Sequence, residues 1–269
     1  MNVKQLQVQD LCDLLEKVAP LSKADEWDNV GLLCGRRNAS VSKILLCVDV
    51  TTEVIEEAIQ LGCQLIVAHH PFLMYKTNRI DAQDFKSDQI LTLAEHKIAV
   101  ISAHTNADSV EGGMNDYLAK LLGLTDVVVT DHSRYLRVGS LPTYLRVGSL
   151  PTQTVVGSFA NIVKQKLVLK TAIVCGDLEK RVKRVGVYTG GVSVPELIKA
   201  KELFDVVVTG EFNYHKALDL KEEGVTAILC GHFSSELLFT WWFKEILERE
   251  MPGLEVCISE RQKEPFVYL

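Results

Sequence analysis

Val8, Leu11, Cys12, Leu14, Leu15 and Val18 recur at helical spacing and Pro20 follows, which predicts an amphipathic helix ending near Val18. The stretch Asp25 to Gly35 (DEWDNVGLLCG) is turn-rich and then apolar. Ile44 to Val50 then reads as a strand, Thr51 to Leu61 as a helix, and Gln64 to Ala68 as a second strand. Strand, helix and strand at this spacing make a βαβ unit with parallel strands. It ends in His69, His70 and Pro71, at the carboxyl end of a strand, where open α/β sheets place their ligands. Residues 76 to 88 are polar and predict a surface loop; a helix over Gln89 to His96 and a strand over Ile98 to Ser102 lead to His104. Met114 to Leu122 predicts another helix, closed by Gly123.

Further along, Val182 to Tyr188 predicts a strand, Gly190 and Gly191 a turn, Pro195 to Leu203 a helix and Asp205 to Thr209 a strand. Tyr214 to Glu222 predicts a helix, Val225 to Cys230 a strand ending at Gly231-His232, and Ser235 to Glu250 a long helix. This second half echoes the βαβ pattern of the first without residue identity, so the expected fold class is α/β with two similar lobes facing each other. The expected division is an N-terminal lobe over 1–130, a junction over 131–157 and a C-terminal lobe over 158–269, its last helix packing back on the first lobe. Within the junction, Tyr135 to Thr143 and Tyr144 to Thr152 both read YLRVGSLPT. Structural repeats run to 20 residues or more and diverge; a single perfect nine-residue copy reads as a recent duplication or a sequence error.

Composition narrows the class. The chain has 269 residues, 29 basic against 35 acidic, net charge −6 and 47% hydrophobic residues, which is enough apolar material for a large core. Without one copy of the repeat it has 260 residues and a net charge of −7, and nothing changes. No uncharged apolar run approaches the roughly 20 residues of a membrane helix, and Lys4, Asp10 and Asp13 interrupt any signal sequence. The seven cysteines are odd in number and lack a C-x-x-C pair, and Cys47, Cys175 and Cys230 lie in apolar runs. Free buried thiols belong to a reducing compartment, so a soluble cytoplasmic protein is expected.

Three clusters could carry chemistry. His69 and His70 are neighbours on an extended strand and point to opposite faces; bent by Pro71, the pair can serve two metals or grip one, while the bland alternative puts one in the core and one on the surface. His104-Thr-Asn-Ala-Asp108 follows another strand end and precedes Gly112-Gly113; its Asp can ligate a metal or satisfy local backbone N–H groups. In Gly231-His-Phe-Ser-Ser-Glu236, a helix starting by His232 puts His232 and Glu236 on one face; otherwise Glu236 serves the helix dipole. Together they offer three imidazoles and two carboxylates. A carboxylate can bridge two ions where a neutral imidazole cannot, so the set fits two divalent ions of Zn, Mn, Fe, Co or Ni. No cysteine falls in the clusters, which argues against a structural zinc knuckle. His96 and His132 lie in polar settings, Gly190-Gly191 lacks the spacing of a phosphate loop, and Trp241-Trp242 reads as core or subunit interface.

EWDNVGLLCG at 26–35, VAHHP at 67–71, HTNAD with GGMNDYLA at 104–119, VVTGEFNYH at 207–215 and GHFSSE at 231–236 run in one order along nearly the whole chain. In this the sequence resembles the Nif-three-like proteins, many of which carry the name GTP cyclohydrolase 1 type 2 homolog. The resemblance implies two lobes forming a cleft with a dinuclear metal site, and a homohexamer built as a trimer of dimers. The implied metal ligands are His69, His70, Asp108, His232 and Glu236, with His104 and Glu211 nearby in proton-transfer or supporting roles. The family ending GH-x-A-T-E stands here as GHFSSE, which keeps the His-Glu spacing. The activity implied is metal-dependent hydrolysis of a nucleotide or related heterocycle. The rival is a ring-shaped metal-binding scaffold that binds nucleic acid or a transcription partner without catalysis. Net charge −6 with dispersed basic residues argues against nucleic acid.

Overall fold

The structure is a computed structural model and describes residues 5–129 and 144–267. The chain divides into two compact units, 1–110 with 239–269, and 111–238.

The first unit opens with α1 (Val8–Val18), which buries Val8, Leu11, Leu14 and Leu15, the apolar stripe of its sequence. Its sheet contains β1 (Gly31–Cys34), β2 (Lys43–Cys47), β3 (Leu65–Ala68), β4 (Ala99–Ser102) and, from the C-terminal end of the chain, β11 (Glu255–Ile258). The order is β1-β4-β3-β2-β11; all neighbours are parallel except β1, which runs against β4. The two crossovers are α2 (Thr52–Leu61) and α3 (Phe85–Glu95). Thr51 caps α2 by accepting from the Val54 N–H, and Gly62 ends it at φ 68°, a left-handed position that suits glycine. Asp84 caps α3 by accepting from the N–H groups of Lys86 and Ser87. That cap starts the helix four residues before the Gln89 expected from apolar spacing, so the polar loop is shorter than predicted.

Leu45, Cys47, Ile66, Ala68 and Val100 pack with Val54, Ile55, Ala58 and Leu93 on one side of this sheet. Their alternates Ile44, Leu46, Leu65, Val67 and Ile101 are equally buried, so both faces are covered, as a parallel sheet requires. The long helix expected from Ser235 is broken at Leu237 into α9 (His232–Glu236) and α10 (Leu238–Glu250). Phe239 and Phe243 of α10 stack at 5.8 Å, and Trp242 is buried beside them.

The second unit carries α5 (Met114–Leu121) and a sheet of β5 (Thr125–Val129), β6 (Arg146–Val155), β7 (Ile173–Cys175), β8 (Arg181–Gly191), β9 (Val206–Glu211) and β10 (Ala227–Leu229). The order is β5-β6-β8-β9-β10-β7, with β8, β9 and β10 parallel and the outer pairings antiparallel. α6 (Val156–Lys166), α7 (Val194–Lys199) and α8 (Tyr214–Glu222) connect the strands. Residues 144–157, read from sequence as part of a junction, form β6 and the start of α6. The second copy of the repeat is thus built into the sheet: Leu145 and Arg146 are buried, and Arg146 pairs in register with Val187. Pro151 falls where the register shifts between Ser149 and Thr154, the kind of irregularity that tolerates a missing N–H. The first copy, Tyr135–Thr143, and His132 lie outside the described residues.

Arg146 is fully buried; its Nε donates to Asp116 Oδ2 at 2.9 Å and its guanidinium also reaches the Tyr144 carbonyl. The strands β1, β5, β6, β7 and β11 were not legible as strands, because each is short, exposed on one side or lacks alternation. Gly190 and Gly191, expected as a turn, are the last residues of β8.

Candidate functional site

In the first unit the sheet ladder continues past the strand ends into the chemistry. The His69 N–H donates to the Cys47 carbonyl at 3.1 Å, the His70 N–H to Val48 at 2.9 Å, and the Ala103 N–H to Ala68 at 3.0 Å. Parallel register therefore places His69, His70 and His104 side by side beyond the carboxyl edges of β3 and β4. His69 is completely buried, and its ring lies 5.2 Å from Phe239. Ring centres are 5.2 Å apart for His69–His70, 5.1 Å for His69–His104 and 5.4 Å for His70–His104. One ring nitrogen from each falls within 4.8 Å of the others, a spacing that could hold a metal ion.

Each imidazole is anchored through Nδ1. His69 Nδ1 donates to the Ala103 carbonyl at 2.9 Å, His70 Nδ1 to Asp49 Oδ1 at 2.7 Å, and His104 Nδ1 to Asp28 Oδ1 at 3.0 Å. With the proton on Nδ1, the lone pair sits on Nε2 in all three rings; the acceptor fixes both tautomer and orientation. Asp108, in α4 (Thr105–Ser109), brings Oδ2 to 3.9 Å from His69 Nε2. This short helix is started by Asn106 accepting from the His104 N–H and tied down by its amide on the Ala19 carbonyl.

Asp28 and Asp49 were missed as site residues. Asp28 accepts from His104 Nδ1 and from both the N–H and hydroxyl of Thr105. Burial works to raise its pKa, but His104 and the Thr105 donors outweigh it, and the carboxyl lies below its ordinary value. The signal was present: Asp28 sits in the Trp-Asp-Asn turn, and Asp49 interrupts an apolar strand end. What it supports is visible only once β2, β3 and β4 are aligned.

In the second unit, the Cys230 N–H donates to the Thr209 carbonyl and the Gly231 N–H to Gly210, so β10 delivers His232 beside Glu211 at the end of β9. Gly231 adopts φ 87° and α9 starts at once, which puts His232 and Glu236 one turn apart on one face. His232 Nε2 lies 3.0 Å from Glu236 Oε2, and its Nδ1 donates to Glu211 Oε1 at 3.1 Å. Glu236 is buried, His232 is half-buried and Glu211 is exposed. Gly190 makes room for this carboxylate: it adopts φ 65°, and a Cβ there would run into Glu236 Oε1. Ser235 accepts from the Gly190 N–H at 3.0 Å, and a Cβ on Gly210 would lie 2.8 Å from the Ser235 hydroxyl. Of the Gly190-Gly191 pair weighed as a phosphate turn, Gly190 instead joins Gly210 as a cradle for Glu236 and Ser235.

A family model described as Duf34/NIF3 (NGG1p interacting factor 3) matches residues 6–265. The chain belongs to the DUF34/NIF3 family. Within the family, a Clostridium perfringens protein named GTP cyclohydrolase 1 type 2 homolog is 34% identical, over 98% of this chain and 100% of its own length. Yeast NGG1-interacting factor 3 is 30% identical, over 98% of this chain and 97% of its own. Among solved structures, a Staphylococcus aureus protein superposes with TM-score 0.87 at 27% identity, over 98% of this chain and 99% of that one. A Bacillus cereus protein related to NIF3 gives 0.86 at 24% identity, over 99% and 100%, which speaks for the fold alone. No helix among the described residues is long and apolar enough to cross a membrane.

Proposed function

We propose that this NIF3-family chain is a metal-dependent hydrolase with a dinuclear centre, holding two divalent ions through His69, His70, Asp108, His232 and Glu236. The observation that carries the reading is the shared tautomer: His69, His70 and His104 each give Nδ1–H to a fixed acceptor, which puts the lone pair on Nε2, a metal donor in His69 and His70 and a proton acceptor in His104. A histidine trio packed only for burial has no need of three Nδ1 anchors and donor atoms within 4.8 Å of one another.

Bound ions would supply Lewis acidity and activate water for attack on an electrophilic carbon or phosphorus. The protein's own part is to orient donors and move protons. His104, backed by Asp28, and Glu211, hydrogen-bonded to His232, are the groups placed to take and return a proton at a reacting heteroatom. The substrate class of the reading is a nucleotide or related heterocycle, following the name of the Clostridium perfringens relative. The same reading makes the protein cytoplasmic and a homohexamer built as a trimer of dimers; native mass tests the latter.

Replacement of both His69 and Glu236 by Ala, read by elemental analysis, tests the centre. Loss of bound transition metal from a folded protein is expected; unchanged metal content sinks the assignment. Metal-loaded protein that leaves GTP intact where a working cyclohydrolase turns it over removes that substrate. The name of the yeast relative favours a second reading, a metal-bearing interaction protein without catalysis. It gains if the metal binds and a hydrolase screen of nucleotides, phosphodiesters and cyclic amides stays silent.

A further inference from the structure

We propose that the indole of Trp27 is a stacking surface for a planar heteroaromatic ring, and that ligands of the histidine cluster carry such a ring. This deepens the metal-centre reading and rests on it for what the rest of the ligand would reach. Trp27 is 62% exposed, although tryptophan is among the most heavily buried residues on average. The exposure does not come from a loose segment. The next residue, Asp28, is held by His104 and by both donors of Thr105; the Asp25 N–H donates to Thr105 Oγ1 at 2.9 Å; the Asn29 amide donates to the Leu73 carbonyl at 2.5 Å. A large apolar ring is thus presented to solvent on an anchored turn, where ordering it for a ligand costs little further entropy.

Its position gives the exposure a purpose. The indole lies 5.8 Å from the His104 ring at 76°, edge to face, and His104 lies 5.1 Å from His69 and 5.4 Å from His70. The indole therefore abuts His104 at the rim of the three-imidazole cluster, and all four rings belong to one unit of the chain. A ring stacked on the indole would have His104 and the cluster behind it as its neighbours. An organic cation is the poorer occupant of the same surface, because it would sit beside imidazoles that gather divalent cations. A saturated ligand gains contact area but not the stacking interaction that a flat π-system adds.

The test is calorimetric titration of the metal-loaded full-length protein with guanosine, uridine and 5,6-dihydrouridine, the last lacking the flat aromatic ring of uridine. The expected result is measurable guanosine binding, weakened about 10- to 100-fold in Trp27→Ala and within about threefold of wild type in Trp27→Phe. Uridine should bind more tightly than dihydrouridine. Binding unaffected by Trp27→Ala, equal binding of uridine and dihydrouridine, or no guanosine binding at millimolar concentration would each overturn the proposal. Where Trp27→Ala fails to fold, Trp27→Leu takes its place, with the same loss expected. Metal content of every sample is measured separately. A wild-type protein without metal that still binds guanosine through Trp27 defeats the metal centre and leaves the ring site standing, whereas full metal with Trp27-independent binding does the reverse.

Discussion

The two histidine-bearing strand ends solve one problem by different means. In the first unit His69 is buried and anchored to a backbone carbonyl, and its neighbours lean on Asp49 and Asp28. In the second unit His232 is 37% exposed and held between two glutamates, Glu211 on Nδ1 and Glu236 on Nε2. The surroundings match. The first sheet is apolar on both faces, while the second buries a guanidinium, Arg146, and gives up side chains at Gly190 and Gly210 so that Glu236 and Ser235 can approach the backbone. His69, buried on a backbone acceptor, is positioned by packing, whereas His232, partly exposed between two carboxylates, is positioned by charge. The first arrangement should tolerate salt, and the second should depend on glycine and on ion pairs.

The contrast can be broken most forcefully at Arg146. Asp116→Ala removes the carboxylate partner of a fully buried guanidinium and should cost about 3 kcal/mol in urea unfolding, discounted from the deepest cases because Asp116 is partly exposed. Arg146→Met in the same background should recover much of that loss. No recovery would mean that the charge itself is not what makes this strand costly.

Gly190→Ala comes next. The left-handed backbone and the collision with Glu236 should together destabilise the protein by about 2 kcal/mol, and should also weaken metal binding. A melting curve matching wild type would show that the Glu236 cradle is not tight.

A smaller effect tests charge dependence away from the site. Asp205 accepts from the Lys183 and Arg184 N–H groups and from the Arg184 guanidinium. Burial works to raise its pKa, the donors and the Arg184 charge outweigh it, and the net shift is downward. A folded pKa below the unfolded one contributes stability that is fully present above about pH 4 and lost as pH falls through the folded value. Asp205→Ala should therefore lose about 1 kcal/mol at neutral pH, with the gap to wild type closing on acidification below pH 4. A gap independent of pH would mean that packing, not ionisation, holds this loop.

The smallest stability effect is expected at Asp49. Its carboxylate is half exposed, so Asp49→Ala should change unfolding by roughly 0.5 kcal/mol or less. Released from its Nδ1 acceptor, His70 should nevertheless bind metal about 10- to 100-fold more weakly. Metal affinity equal to wild type would show that the His70 orientation does not depend on this contact.

Much of the parallel core could be read directly. β2, α2 and β3 matched the expected strand, helix and strand because continuous Ile/Leu/Val runs, the Thr51 cap and Gly62 are local signals. α1, α5 and α8 likewise followed from apolar spacing and flanking breakers. The antiparallel outer strands could not be read: β6 contains a proline and a buried arginine, and β7 has only three residues. Their conformation depends on partners distant in the chain. The break at Leu237 was hidden for the same reason, since apolar periodicity runs through it.

By itself the sequence determined which chemical groups stand at strand ends, that His232 and Glu236 share a helical face, and that the chain carries NIF3-family motifs in order. These are properties of residue type and short-range spacing, where covalent geometry leaves little freedom. Only the tertiary structure decided which nitrogen of each imidazole carries the proton. That choice is made by Ala103, Asp49, Asp28 and Glu211, which lie 34, 21, 76 and 21 residues away along the chain from their histidine partners. A tautomer is set by the nearest acceptor in space, and sheet register, not sequence distance, determines which acceptor that is.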